Sequence, residues 1–355
     1  MPTVAINGMG RIGRAALKIL LDTDDELDLV AVNDIAGVDN LAYLLRYDTV
    51  YGRYQREVSV TDGALHVDRK RIPVFAERDP GRLPWADLGV DLVLECTGVF
   101  TTEQDLSKHL QAGAAYVILS APTKSATVPT VVHGVNGADG ADGADGADGA
   151  DGADGADGAD GEKHIISCAS CTTNCITPVI EIAQRLIGVE RAVMTTVHAY
   201  TGGQRLVDGP SKNFRRGRAG AVNLVPTSTG AAQATTRAVP ELTGRFDGIA
   251  VRLPIPVGSL ADIVFVAGRQ TTVEEVNDAF RQEATTERYR GILGVSEDPL
   301  VSTDIVGDSR AAIVDLDLTR VVDGTLVKVM AWYDNEWGFT HQMIREARSI
   351  LSPVP

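Results

Sequence analysis

The sequence predicts an α/β fold in two parts: a parallel-sheet layer structure first, then an α+β portion with a mixed, largely antiparallel sheet. Three observations carry this reading. Short apolar runs alternate with helical periodicity through the first 120 residues. Beyond Cys171 the texture changes to longer β-branched runs with only a few helices. The chain has 355 residues, 44% of them hydrophobic, enough for two cores without a disulfide or metal staple.

The elements follow in order. Val4-Ala5-Ile6 is a short buried strand, and Arg11 to Leu21 is a helix with Ile12, Ala15, Ala16, Ile19 and Leu20 on one face. Leu29 to Val32 is a second strand ending at Asn33-Asp34, which completes a βαβ unit. Strands are expected at Val90 to Leu94, Tyr116 to Leu119 and Val131-Val132, with a helix at Thr102 to Ala112. In the second part, a helix over Thr172 to Leu186 precedes a strand over Ala192 to Val197. Gly202 to Gly220, rich in Gly and Arg, is expected to be a long ordered loop. Strands near Gly248 to Leu253, Ala261 to Ala267, Ala312 to Leu316 and Leu326 to Tyr333 follow, with helices at Val273 to Thr286 and Phe339 to Leu351. The expected domains are 1–170, 171–333 and a terminal helix, 334–355, that returns to the first.

The charge balance excludes some functions. The chain carries a net −15, and eight of its acids belong to one repeat, which leaves −7 for the rest. Neither nucleic acid nor an anionic membrane is expected to bind through a general basic face. Asp outnumbers Glu 32 to 16 and Arg outnumbers Lys 26 to 7, a bias that fits either a salt-rich cytoplasm or GC-rich codons. Met1-Pro-Thr-Val-Ala-Ile lacks the basic lead and apolar core of a secretory leader, and no apolar run reaches the ~20 residues of a membrane span. The expectation is a soluble, cytoplasmic protein.

Gly137 to Asp160 is eight copies of Gly-Ala-Asp, expected as a solvated loop over 137–161. Regular Gly/Asp repeats suggest calcium, but calcium-binding rolls carry an apolar residue that this unit lacks. Collagen needs proline, which is absent.

Two constellations carry chemistry. Gly8, Gly10 and Gly13 form G-x-G-x-x-G between a strand and a helix, the turn that lets a backbone approach a pyrophosphate at a helix N-terminus. Asp34, 21 residues after Gly13, is placed to accept hydrogen bonds from an adenosine ribose and disfavours a 2′-phosphate, so NAD is the expected cofactor. The second constellation is Ser167-Cys-Ala-Ser-Cys-Thr-Thr-Asn-Cys175. A metal could use His164, Cys168, Cys171 and Cys175, but the spacing lacks a second distant pair, and no metal is expected. A nucleophilic Cys171 at a helix N-terminus is favoured, its thiol pKa lowered by the helix dipole and an imidazole. His198, at the end of an apolar strand, is the candidate base. Cys175 reads as a packing thiol, and Cys168 as either a core residue or an accessory thiol.

Asn7 to Arg14, Ala42-Tyr-Leu-Leu-Arg-Tyr-Asp48, Glu77-Arg-Asp-Pro80, Thr97-Gly-Val-Phe100, Ser120-Ala-Pro122, Ala169-Ser-Cys-Thr-Thr-Asn-Cys175, His198-Ala-Tyr-Thr201, Pro226 to Ala232 and Trp332-Tyr-Asp-Asn-Glu-Trp-Gly338 resemble, in order, phosphorylating glyceraldehyde-3-phosphate dehydrogenases. The resemblance spans nearly the whole chain. It implies a Rossmann-type first domain and a catalytic second domain, with Cys171 as nucleophile and His198 as base and later acid. Asn7, Gly8, Gly10, Arg11, Ile12, Gly13, Asp34, Arg78, Ser120 and Asn335 would hold NAD, with Asn335 on the nicotinamide amide. Thr201 and Arg252 would hold the phosphate of glyceraldehyde 3-phosphate, and Ser170, Thr172, Thr229 and Gly230 the inorganic phosphate. A homotetramer is implied, with the Gly202 to Gly220 loop near its cofactor sites. Cys168 stands where the family usually has Asn, and Phe339 where it usually has Tyr.

Other readings are an NADP-preferring biosynthetic paralogue, an erythrose-4-phosphate dehydrogenase, or a silent relative that binds partners through the repeat; intact Cys171 and His198 oppose the last. Loop-closure entropy grows slowly with length, so a passive insertion is tolerated. Deleting Gly137 to Asp160 is therefore expected to leave unfolding midpoint and turnover unchanged, whereas loss of either would make the repeat functional.

Overall fold

The computed structural model describes residues 1–22, 26–137 and 164–352. Apart from its first residue, the Gly-Ala-Asp repeat lies outside them. The described chain divides into two compact units, one of residues 1–131, 164–169 and 343–352, the other of 132–137 and 170–342.

The first unit opens with strand β1 (Thr3–Asn7), helix α1 (Arg11–Asp22) and strand β2 (Asp28–Asn33). Ala15, Ala16, Ile19 and Leu20 face inward from α1, the apolar stripe its periodicity predicts. Gly8 has φ +96°, and a Cβ there would meet the Thr97 amide at 2.6 Å. A Cβ on Gly13 would stand 1.9 Å from the Gly8 carbonyl oxygen. Gly10 has nothing within 4 Å of such a Cβ. Two of the three glycines are thus demanded by close packing, and the third leaves open space.

Helix α2 (Val38–Arg46) follows, then the short pair β3 (Tyr47–Asp48) and β4 (Gly52–Arg53). A three-stranded antiparallel sheet comes next: β5 (Val58–Thr61), β6 (Ala64–Val67) and β7 (Lys70–Ile72). Its first turn is Asp62-Gly63, with φ of 49° and 70°, the left-handed pair a two-residue hairpin requires. The sequence reading passed over this hairpin although its signal, Asp-Gly after the alternating Val58-Ser-Val-Thr61, is present. Then come β8 (Val74–Phe75), α3 (Trp85–Leu88), β9 (Leu92–Glu95), α4 (Glu103–Gln111), β10 (Tyr116–Leu119) and β11 (His164–Ser167). Thr102 caps α4, its side chain accepting from the Asp105 amide at 3.2 Å.

The main sheet is parallel, in the order β11-β10-β9-β1-β2-β8. Strand order reverses beside β1, so the carboxyl ends of β1, β2 and β9 open at a topological switch point, where sheets of this kind bind ligands. The expected strand at Val131-Val132 does not form. Thr130 makes one isolated bridge to Ser167, after which the Val132 amide turns to Asn136 Oδ1 at 2.8 Å.

The second unit begins with α5 (Cys171–Leu186), β12 (Val189–Ala199), β13 (Val225–Ser228) and α6 (Ala231–Ala238). It continues with β14 (Phe246–Leu253), β15 (Ser259–Ala267), α7 (Val273–Glu283), β16 (Leu293–Ser296), β17 (Ala312–Val322), β18 (Leu326–Tyr333) and α8 (Trp337–Leu351). The seven-stranded sheet runs β13-β14-β12-β15-β18-β17-β16. Only β12/β14 and β16/β17 pair in parallel, so the sheet is mixed and largely antiparallel, as read. Its core joins Ile176, Ile180 and Ala183 of α5 to Ile263, Phe265, Val329 and Ala331 of the sheet. The Gly202 to Gly220 stretch is a loop with one 3-10 turn at Phe214–Gly217. Residues 343–351 of α8 belong to the first unit.

Gly13→Ala is expected to lower stability by about 1–3 kcal/mol or more, because its Cβ meets backbone. Gly10→Ala is expected to stay within about 0.5 kcal/mol. Urea unfolding of both variants checks this, and equal effects would contradict the packing argument.

Candidate active site

The first unit holds a cavity of about 380 Å³ lined by Asn7, Gly8, Gly10, Asp34, Arg78, Thr97 and neighbours. Its floor is the set of strand ends at the switch point. Asp34 accepts from the Met9 amide at 2.7 Å and from the Ala36 amide at 2.8 Å, which fixes its carboxylate at the end of β2. The Gly8 amide donates to the Asn33 carbonyl at 2.8 Å. Asn33 Nδ2 in turn donates to Asn7 Oδ1 at 2.7 Å and to the Glu77 carbonyl at 2.9 Å. Open space at Gly10, beside the N-terminus of α1, suits a pyrophosphate, because nothing fills the position of its missing Cβ. The residues present therefore fit a dinucleotide.

Not every expected residue lines that cavity. Arg11 reaches away to Asp48, 2.5 Å distant, and stacks over Tyr51. Gly13 acts through packing. Ile12 and Ser120 are outside the wall, and the Ser120 amide donates to the Glu95 carbonyl at 3.0 Å. Asn335 belongs to the second unit, where its Oδ1 accepts from Ser259 Oγ at 2.9 Å and from the Gly258 amide at 3.3 Å.

The second unit carries the thiol. Ser170 caps α5, its Oγ accepting from the Thr173 amide at 3.1 Å. This cap sets Cys171 as the first residue of the helix, where backbone N–H groups have no helical partner. His198 projects from the end of β12, and its Nε2 lies 3.4 Å from Cys171 Sγ. Its Nδ1 lies 2.6 Å from the Ala199 carbonyl oxygen and 2.6 Å from Arg252 Nη1. Arg252 also donates to the Ala199 carbonyl at 3.0 Å. Nδ1 thus faces one acceptor, the carbonyl, and one group that can only donate, Arg252; a proton on Nδ1 satisfies the carbonyl and turns the Nε2 lone pair toward sulfur, with Arg252 directed to the same carbonyl.

Tyr333, which the sequence reading missed, ties the site together. Its buried hydroxyl joins Thr172 Oγ1 at 2.9 Å to Thr196 Oγ1 at 2.7 Å, and its ring meets His198 edge-on at 5.9 Å. One phenol thus fixes the helix start and the strand that carries the imidazole. Its only sequence signal was membership of the Trp332 to Gly338 segment.

The expected lowering of the thiol pKa is not found. Burial pushes Cys171 up to about 11, against the opposing pull of Arg252 and of the Thr172 amide and hydroxyl. Burial, reinforced by Arg252, holds His198 down at about 3. The resting pair is thiol and neutral imidazole. Desolvation outweighs the helix dipole here because each charge alone is taken out of water. A proton passed from Sγ to Nε2 creates both charges at once, 3.4 Å apart, and the pair then stabilises itself. Cys168 and Cys175 are buried and their thiols are raised further still, mainly by burial. All four cysteines are free.

Arg252 is the cation of the site; burial lowers its pKa, and Arg216, another residue the sequence reading passed over, is near enough to add to that lowering. Arg216 is held by Thr227 Oγ1 at 2.9 Å and by the Ser228 carbonyl at 3.3 Å. Thr229 Oγ1 accepts from the Ala231 amide at 3.2 Å, and Gly230 caps α6 without a side chain. Thr201 is exposed, two residues beyond the end of β12.

A reactive thiol needs no dinucleotide, and a dinucleotide cradle needs no thiol; a chain built with both falls in the class of cysteine-dependent, dinucleotide-linked oxidoreductases. Comparison with known proteins narrows the class. Residues 2–103 match the family model for the glyceraldehyde 3-phosphate dehydrogenase NAD binding domain, and residues 170–335 that for its C-terminal domain. Over 341 residues, 96% of each chain, the protein is 45% identical to a glyceraldehyde-3-phosphate dehydrogenase of Streptomyces coelicolor. Identity to the Zymomonas mobilis enzyme of that name is 44% over 352 residues, 99% of each chain. Identity to the Geobacillus stearothermophilus enzyme is 45% over 349 residues, 98% of each chain. This chain belongs to the glyceraldehyde 3-phosphate dehydrogenase family.

Arg252→Gln removes a positive charge beside the imidazole, so His198 is expected to titrate at higher pH than in the parent, with burial still holding it below the ordinary value. Proton-detected titration of the His198 ring checks the sign, and an unchanged or lower value would contradict it.

Proposed function

We propose that this protein catalyses the NAD-dependent oxidative phosphorylation of D-glyceraldehyde 3-phosphate to 1,3-bisphosphoglycerate, a step of glycolysis and gluconeogenesis. The carrying observation is the 3.4 Å contact between Cys171 and His198, with Arg252 against the same imidazole, in a chain of this family.

Cys171 Sγ attacks the aldehyde carbon while its proton passes to His198 Nε2. The imidazolium returns that proton to the developing oxyanion, which gives a thiohemiacetal. His198 then takes the hydroxyl proton as the carbon–hydrogen bond breaks with its electron pair. NAD, when bound, supplies the acceptor for that hydride. The product on Cys171 is a thioester. Inorganic phosphate attacks its carbonyl, the carbon–sulfur bond breaks, and the imidazolium reprotonates the sulfur.

In this reading Arg252 and Thr201 hold the substrate phosphate, and Ser170, Thr172, Thr229 and Gly230 hold the attacking phosphate. Asn7, Gly8, Gly10, Arg11, Ile12, Gly13, Asp34, Arg78, Ser120 and Asn335 serve the cofactor. Residues 1–170 form the cofactor domain and 171–333 the catalytic domain, and helix 334–355 belongs with the first. The protein works as a cytoplasmic homotetramer. Four free thiols support a reducing compartment. Exposed Val193, Ile249, Leu206, Val207 and Phe214 support burial against further copies.

Initial rates of phosphate-dependent dinucleotide reduction with glyceraldehyde 3-phosphate test the reading. Cys171→Ser is expected to abolish turnover, and His198→Asn to lower kcat by about 10²–10⁴. NAD is expected to outperform NADP because of Asp34. Near-normal turnover in Cys171→Ser would overturn the mechanism, and faster reaction with NADP or with erythrose 4-phosphate would overturn the assignment.

A further inference from the structure

Where β12 and β18 end and β15 begins, a chain of buried hydrogen bonds crosses the second unit's sheet, and the mechanism does not call on it. Ser259 opens β15 with no exposed surface, in register with Tyr333 of β18. Its Oγ accepts from the Ala199 amide at 3.1 Å. A backbone N–H can only donate, so the single hydrogen of the hydroxyl is left for Asn335 Oδ1, 2.9 Å away. The Gly258 amide donates to that same atom at 3.3 Å, which identifies it as the oxygen of the side-chain amide and not the nitrogen. Gly258 brings its amide there at φ +94°, where a Cβ would stand 2.2 Å from the Ser302 carbonyl oxygen.

Asn335 is thus held by its oxygen. Beside it, Asp334 accepts from the Glu336 and Trp337 amides at 2.9 and 2.8 Å and from the Gly307 amide at 2.8 Å, which fixes the backbone where α8 begins. Asn335 is only 5% exposed, and its Nδ2 has no partner among the described residues. An NH₂ on so buried a residue is costly to leave unpaired, and an acceptor such as a carbonyl oxygen satisfies it. Turning the amide over gives no relief, because it sets the NH₂ against the Gly258 N–H.

We propose that Ser259 is a positioning residue for cofactor recognition: it holds Asn335 by Oδ1, so that the second unit offers a donor to the carboxamide oxygen of NAD and no acceptor to the carboxamide NH₂. This rests on the NAD reading above, in which Asn335 serves that group. Without the hydroxyl, Asn335 Oδ1 keeps only the longer bond from Gly258, and the amide is free to rotate. The same hydroxyl holds the Ala199 peptide, whose carbonyl meets His198 Nδ1 at 2.6 Å. One side chain therefore ties the strand that carries the base to the residue that serves the cofactor.

The test is calorimetric binding to the full chain without substrate, with three probes. NAD is the first, and ADP-ribose, which lacks the carboxamide, is the second. The third is the acetylpyridine analogue of NAD, which keeps the carbonyl oxygen and has a methyl in place of the NH₂. The parent is expected to bind this analogue within about threefold of NAD, since no hydrogen bond to Asn335 is lost. Ser259→Ala is expected to weaken NAD about tenfold and to leave ADP-ribose unchanged. Asn335→Ala is expected to do the same, and the two substitutions together no more than Asn335→Ala alone, because Ser259 acts through Asn335. Ser259→Cys keeps the shape with a poorer donor and takes the place of alanine if that variant does not fold. Unchanged NAD affinity in the Ser259 variant, equal loss of NAD and ADP-ribose, further loss in the double variant, or rejection of the analogue would overturn the proposal. If the parent bound neither NAD nor ADP-ribose, the functional reading would fail instead.

Discussion

The contact from which the second unit's chemistry follows is 3.4 Å long, between Cys171 Sγ and His198 Nε2. Each residue is positioned by the element that carries it. The cysteine stands where it does because Ser170 starts the helix, and the helix is seated by Ile176, Ile180 and Ala183 in the sheet-facing core. The imidazole stands where it does because β12 is pinned between β14 and β15. Tyr333 then closes the gap with one hydroxyl on each element. A shift of about half an ångström in either element would bring this contact to the edge of hydrogen-bond range.

The local frame of this arrangement was legible in the sequence because local rules govern it. Helical spacing found α1 and α5, the Gly8 to Gly13 turn marked the pyrophosphate cradle, and the run ending at His198 gave the strand that carries the base. What stayed hidden depends on distance along the chain or on burial. Thr172 and Tyr333 are 161 residues apart, and no spacing rule links them. Nor could periodicity show that Val132 turns its amide to Asn136 after a single bridge. The thiol was misread for a related reason: a helix N-terminus is visible in sequence, but the depth at which it is buried is not. The Asp62-Gly63 hairpin is different, since its signal was local and was simply passed over.

An enzyme of this family handles phosphate esters and a dinucleotide, all of them anions, yet this chain carries −15. The structure resolves this by concentrating cationic character. Arg252 is partly buried beside the reactive pair, with Arg216 near enough to be felt, and in the function proposed above the rest of the anion recognition falls to hydroxyls, amides and helix starts. Such donors carry no net charge and work at short range, so they are indifferent to the acidic surface around them.

Two acid–imidazole pairs among the described residues make the economy of the fold plain. Cys171 with His198, and Glu95 with His109, each set an acidic side chain, a thiol in one and a carboxylate in the other, within hydrogen-bond range of a ring nitrogen. In the first, the other ring nitrogen faces both a carbonyl and the donor-only Arg252, so it holds a proton only by turning it to the carbonyl, and the facing lone pair is then free to take one from sulfur. In the second, the indole of Trp85 occupies Nδ1 as a donor, so the ring cannot gain a proton without losing that bond. What lies behind the imidazole thus decides what happens in front of it. A carbonyl makes a base that moves a proton, and an indole makes a fixed prop that holds a charge in place.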